Sequence, residues 1–99
     1  MNLEEMKKNV TRAADLMRAM SNRHRLMLLC LLNKGEFSVS ELNTELEIPQ
    51  STLSQHLSVL RKEGFVQTRR DAQTIYYSLA SQEVKEVIGV LYQLYCEPQ

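Results

Sequence analysis

Between residues 3 and 20 the apolar positions Leu3, Met6, Val10, Ala13, Met17 and Met20 alternate spacings of three and four, a heptad-like seam on one helix. Such a seam either covers the chain's own core or meets another subunit, and the spacing leaves both open. Next, Asn22 can cap a second helix, "RLMLLCLLN", which is apolar nearly all round and therefore predicted to lie at the centre of the domain. Asn33-Lys34-Gly35 ends it, Gly35 being suited to a left-handed stop. In "SVSELNTELEI", Ser38 or Ser40 can cap a short helix striped by Val39, Leu42 and Leu46, and Pro49 then favours the first turn of a new helix.

In "IPQSTLSQHLSVLRKEGF", Leu53, Leu57 and Leu60 recur at i, i+4 and i+7 and fix a buried face, and Gly64 terminates the helix. Two short helices separated by about three residues make a helix-turn-helix candidate. "FVQTRR" and "TIYYSL" then alternate as two short strands around the polar turn Asp71-Ala72-Gln73. Ser81 caps a last helix striped by Val84, Val87, Ile88, Leu91, Leu94 and Tyr95, closed by Pro98. The order is helix, helix, helix, helix, hairpin, helix. A hairpin directly after a helix-turn-helix is a wing, so the fold class expected is mostly α with a β-hairpin wing, a winged helix-turn-helix over residues 1–99 in one domain.

The solvent side of the fourth helix is unusual. Surface helices commonly carry Glu and Lys, whereas this one presents Ser51, Ser54, Gln55, Ser58 and Lys62 opposite the leucines, with no carboxylate before Glu63. Base edges in the DNA major groove offer donors and acceptors flanked by phosphates. Gln can pair bidentately with adenine, Ser and Thr can reach bases or phosphates, and carboxylates would be repelled. The candidate DNA-binding set is therefore Gln50, Ser51, Thr52, Ser54, Gln55, Ser58 and Lys62 on the helix with Arg69, Arg70 and Gln73 on the wing. The bland alternative is a solvated serine-rich helix with ordinary surface arginines; the face, the wing and their spacing together argue against it.

Composition adjusts this picture. With 43% hydrophobic and 24% charged residues the chain is of the soluble globular kind, and its formal net charge is zero, so no global field advertises a polyanion partner. The charge is unevenly spread, however. Residues 49–79 carry Arg61, Lys62, Arg69 and Arg70 against Glu63 and Asp71, while residues 36–48 hold Glu36, Glu41, Glu45 and Glu47 with no base. No apolar run approaches the ~20 residues that span a bilayer, and "MNLEEMKKNV" lacks the character of a signal peptide. The expectation is a cytoplasmic protein with reduced thiols. Its two cysteines, Cys30 and Cys96, are too far apart in sequence for a CxxC or zinc-knuckle motif.

"QSTLSQHLSVLRKEGFVQTRRDAQTIYYSL" resembles the recognition helix and wing of the ArsR/SmtB bacterial repressors, and "AMSNRHRLMLLCLLNKGEFSVSEL" resembles their preceding segment. The resemblance covers roughly residues 15–80, with Q-S-x-x-S-x-H-L and Y-Y-x-L as its more specific elements. It implies a winged-helix homodimer, joined through the first and last helices, that binds a double-stranded DNA operator. Many members sense metal through E-L-C-V-C-D-L ahead of the recognition helix. Here the segment reads "EFSVSEL", and hydroxyls at Ser38 and Ser40 are poor ligands for soft ions. A second family site uses Asp and His on the final helix, and residues 81–96 contain neither. His24 and His56 lie on different helices and read as structural, so no metal and no other cofactor is expected. Some members pair a second-helix cysteine with a last-helix cysteine as a sulfur or oxidant switch, and Cys30 and Cys96 match those positions. Read from the residues alone, Cys30 is a small buried hydrophobe and Cys96 an incidental surface thiol; both readings stay open.

Two other function classes compete. A winged helix could dock protein through its serine face, without sequence-specific DNA binding. An enzyme has little support, since the chain has no Gly-rich phosphate loop and no Ser/His/Asp arrangement with its supporting motifs.

Overall fold

A computed structural model of the chain describes residues 2–96. Helix α1 spans Leu3–Met20, α2 Arg23–Leu32, α3 Val39–Leu46, α4 Gln50–Lys62 and α5 Gln82–Tyr95; the strands are β1 Phe37–Ser38, β2 Val66–Asp71 and β3 Thr74–Leu79. The helices start where the sequence supplies caps. Asn22 Oδ1 accepts from the backbone N–H groups of His24 and Arg25 at 2.9 and 3.2 Å. Ser38, rather than Ser40, caps α3, in a capping box with Glu41. Ser81 Oγ accepts from Val84 N–H at 3.1 Å. The Pro98 stop lies outside the described residues.

Helix α4 ends in a Schellman turn. Phe65 N–H donates to the Leu60 carbonyl and Gly64 N–H to that of Arg61, with Gly64 at φ +82°, a conformation that costs a residue without Cβ little. This reverses the chain directly into β2. Gly35 behaves differently from expectation: α2 already ends at a right-handed Asn33 cap, and Gly35 has φ +154°, outside the left-handed helical range.

The sheet has three strands, in the order β1-β3-β2, all antiparallel. The sequence predicted only the hairpin. Strand β1 is two residues long, pairing Phe37 with Tyr77 and Ser38 with Tyr76, and it ties the wing's base to the start of α3. Leu28, Leu29, Leu42, Leu53, Leu57, Leu60 and Val84 are fully buried and form one core with Leu16, Met20, Ile48, Val66, Leu79 and Ile88.

One expectation about burial needs correction, and one open alternative is narrowed. Helix α2 is not enclosed on all sides, because Met27 and Cys30, one turn apart, are exposed. Its near-uniform apolarity carries no periodicity to show which face stays open. In α1, of the six seam residues only Met20 is buried; Leu3, Met6, Val10, Ala13 and Met17 are exposed, so most of the seam does not cover the chain's own core. The chain's radius of gyration is 14.7 Å, above the ~13 Å of a compact 100-residue domain.

Candidate nucleic-acid interface

Helices α3 and α4 are joined by Glu47, Ile48 and Pro49. Glu47 takes a left-handed conformation (φ +53°), and buried Ile48 anchors the turn to the core. With Leu53, Leu57 and Leu60 buried beneath it, α4 presents Gln50, Ser51, Ser54, Gln55, Ser58 and Lys62 to solvent, while Thr52 is half-buried at the edge of that face. Pro49 precedes the helix without a side-chain cap and the first turn has no acid, so the first backbone N–H groups of α4 face no competing side chain. Arg61 and Lys62 occupy the last turn, where cations suit the helix dipole.

Val59 also lies on this open face. It is 42% exposed and follows Gln55 by one turn. The sequence reading passed over it because an apolar residue next to a leucine stripe reads as core. Its angular position, roughly 40° from Gln55 and 80° or more from each buried leucine at ~100° per residue, was the available signal.

The other flank of α4 meets α2. His56 and His24 stack edge to face, with centroids 5.7 Å apart. Burial, helped by the nearby charge of Arg25 and by His24, pushes the His56 imidazole below its ordinary pKa. Arg25 itself is committed elsewhere: its Nε donates to the Ala19 carbonyl at 2.8 Å and its Nη2 to that of Arg18 at 3.1 Å, closing the end of α1. These residues form a packed junction between α2 and α4.

On the wing, the strand ladder pairs Arg69 with Tyr76 and Arg70 with Ile75. Arg70 donates from Nε to the carbonyl of Ala72 at the tip (3.2 Å), and Gln73 is exposed beside it. Arg69, one of the candidate DNA-binding residues, donates from Nε and Nη2 to both oxygens of Glu36, at 2.9 and 2.7 Å. This fork holds the Glu36 carboxyl below the usual carboxylate range and raises Arg69 further.

Away from this face, Cys30 on α2 and Cys96 at the end of α5 are both exposed free thiols, on helices that pack together. Burial, and to a lesser degree the charge of Cys96, push the Cys30 thiol above its ordinary pKa. Among the described residues no three His, Cys, Asp or Glu side chains gather as a metal site. No helix among them is long and apolar enough to cross a membrane.

Known proteins share this arrangement. Residues 22–68 match the arsR family of bacterial regulatory proteins. The chain is 53% identical over 97 residues to the transcriptional activator HlyU of Vibrio cholerae, covering 98% of this chain and 90% of that protein. This chain belongs to the ArsR family. It is also 46% identical to a biofilm growth-associated repressor of Agrobacterium fabrum, covering 98% of this chain and 83% of the relative. A structure of reduced HlyU from Vibrio cholerae superposes with a TM-score of 0.91 at 52% identity, covering 96% of this chain and all of that one. The fold is thus that of the winged-helix regulators, and the chain is a transcriptional regulator of a DNA-binding family. The relatives' names are those of regulators, not enzymes.

Proposed function

We propose that the protein is a homodimeric operator-binding regulator whose affinity for DNA is set by the state of Cys30 and Cys96 rather than by a metal. The observation that carries the DNA reading is the carboxylate-free face of α4, held outward by three fully or almost fully buried leucines. Gln50, Ser51, Ser54, Gln55, Ser58 and Lys62 line the major groove, with Thr52 at its edge and Arg70 and Gln73 reaching from the wing. Gln55 pairs with adenine, and Val59, one turn further, sets its methyl groups against a thymine methyl. The relatives named above include both an activator and a repressor.

The dimer reading rests on uncovered apolar surface at two ends of the chain. Along with the α1 seam, α5 leaves Val90, Leu94 and Tyr95 open, Leu94 at 64% and Tyr95 at 80%. Monomeric proteins rarely leave contiguous apolar patches of this kind, and a second copy offers a self-complementary cover.

The switch follows from the thiols' chemistry. Cys30, its pKa raised, stays protonated at neutral pH, and exposed Cys96 is the thiol that attacks first. With a peroxide, the Cys96 thiolate takes one oxygen to become a sulfenic acid, releasing water once the proton is counted. The Cys30 sulfur then displaces a second water and closes a disulfide, so two thiols lose two electrons and the peroxide becomes two waters. A bridge between α2 and α5 shifts the support of the helix-turn-helix and the spacing of the two α4 helices. The test is a titration of a selected duplex by wild type, Cys30→Ser and Cys96→Ser, before and after peroxide. Oxidation should weaken wild-type binding at least tenfold, or ~1.4 kcal/mol, and leave both variants unaffected. Equal affinity of reduced and oxidised wild type would refute the switch, and binding that ignores ionic strength would refute the DNA reading and favour protein docking.

A further inference from the structure

Arg69 and Arg70 are consecutive on β2, so the two-residue repeat of a strand sends them to opposite faces of the sheet. The ladder identifies the faces. Val66 pairs with Leu79, both buried, and the same inner face continues through Thr68 with Tyr77 to Arg70 with Ile75 at the tip. The outer face carries Gln67 with Ser78 and Arg69 with Tyr76. Gln67 donates to Ser78 Oγ at 3.4 Å, and the Arg69 guanidinium lies 4.7 Å from the centre of the Tyr76 ring. Glu36, which accepts both of Arg69's hydrogen bonds, immediately precedes β1. The contact therefore reaches from β2 across the central strand β3 to the chain entering β1, and β1 leads without a break into α3. A planar guanidinium sitting on an aromatic ring, with its fork filled by a carboxylate, has its charge neutralised and its best phosphate-binding edge occupied.

We infer that Glu36 and Arg69 are a wing-positioning pair, which fixes the hairpin's angle to the helix-turn-helix so that Arg70 and Gln73 meet the DNA, and that Arg69 itself neutralises no phosphate. The inference rests on the DNA-binding reading above. It reassigns one of two adjacent basic residues from contact to support, on the ground that they face opposite ways.

Salt dependence separates the two roles, because each phosphate neutralised contributes about −0.9 to the slope of log affinity against log salt. Fluorescence anisotropy of a selected duplex is measured from low to moderate salt for the full dimeric protein and five variants, with thermal unfolding alongside to confirm that each is folded. Arg70→Ala should flatten the slope by about one unit per protomer. Arg69→Gln should weaken binding about three- to tenfold and leave the slope as in wild type. Glu36→Gln should do the same, the double variant Glu36→Gln/Arg69→Gln should be no worse than either single change, and the exchange Glu36→Arg/Arg69→Glu should regain most of the loss. The inference is overturned if Arg69→Gln flattens the slope as Arg70→Ala does. Tighter binding by Glu36→Gln would also overturn it, showing a carboxylate that merely competes with DNA for Arg69. So would an exchange variant that binds worst of all. If wild type itself shows no salt-dependent binding, the DNA reading fails first; if wild type binds and only the pair misbehaves, the inference alone is lost.

Discussion

The α3–α4–wing half of the molecule and the α1–α5 half treat their apolar residues in opposite ways. In the first, the leucine stripes of α3 and α4 are closed off within one chain: Leu42, Leu53, Leu57 and Leu60 are buried, and what remains outside is mostly hydroxyl, amide and charge. In the second, stripes that look just as regular in sequence end in the open, at Leu3, Met6, Val10 and Met17 on α1 and at Leu94 and Tyr95 on α5. A stripe's periodicity reports that a face will be covered without saying by what. Here the α3–α4–wing half is closed within one chain, and in the proposed dimer a second copy covers the other half.

The largest mutational effect is expected in the self-contained half. Leu57→Ala removes a side chain buried to about 1% exposure and should cost about 2–5 kcal/mol of unfolding free energy, measured by chemical denaturation at one fixed protein concentration. In the open half, Leu94→Glu should leave monomer stability within about 0.5 kcal/mol. It should nonetheless convert the protein to a monomer in light scattering and weaken operator binding roughly 100-fold, through the lost second half-site. A Leu94→Glu protein that stays dimeric would place the subunit contact elsewhere.

Smaller changes sharpen the DNA-facing side. Gln55→Ala should cost about 1–3 kcal/mol against the preferred sequence and little against random DNA. Replacing thymine by deoxyuridine in each half-site should weaken wild-type binding several-fold and hardly affect Val59→Ala, a distinction that anisotropy can read. Glu47→Gly, at a left-handed position, should stabilise the fold by about 0.5–1 kcal/mol. The smallest effect concerns His56. Its folded-state pKa lies below the ordinary 6.5, so on acidification the unfolded chain takes up the proton first. His56 should therefore destabilise the fold progressively as pH falls below about 6.5, and His56→Gln should remove that part of the pH dependence in thermal melts.

How much could be read from the chain itself depended on whether a feature was local. The caps at Asn22 and Ser81, the leucine face of α4 and the hairpin turn are all set by residues within a few positions of one another, and each stands as the sequence indicates; for α3 the structure chooses Ser38 from the two candidate caps. Strand β1 was not legible, because two residues carry no period and Phe37-Ser38 reads as the lead-in to a capped helix. Missing β1 hid the partner of Arg69, although the strand's alternation already implied that Arg69 and Arg70 could not face the same way. The exposure of Cys30 was hidden for a different reason. A helix with apolar residues on every side gives no indication of which face its neighbours leave open.

In the proposed regulator, two copies of this chain place the open faces of two α4 helices on one DNA duplex. Selection of bound sequences from a random duplex pool tests it most directly, using wild type and Gln55→Ala. Wild type should enrich a two-part site whose halves are centred about one helical turn, ~34 Å, apart, and Gln55→Ala should lose base preference at the same position in both halves. A single unpaired site, or a wild-type preference that survives Gln55→Ala unchanged, would contradict the account.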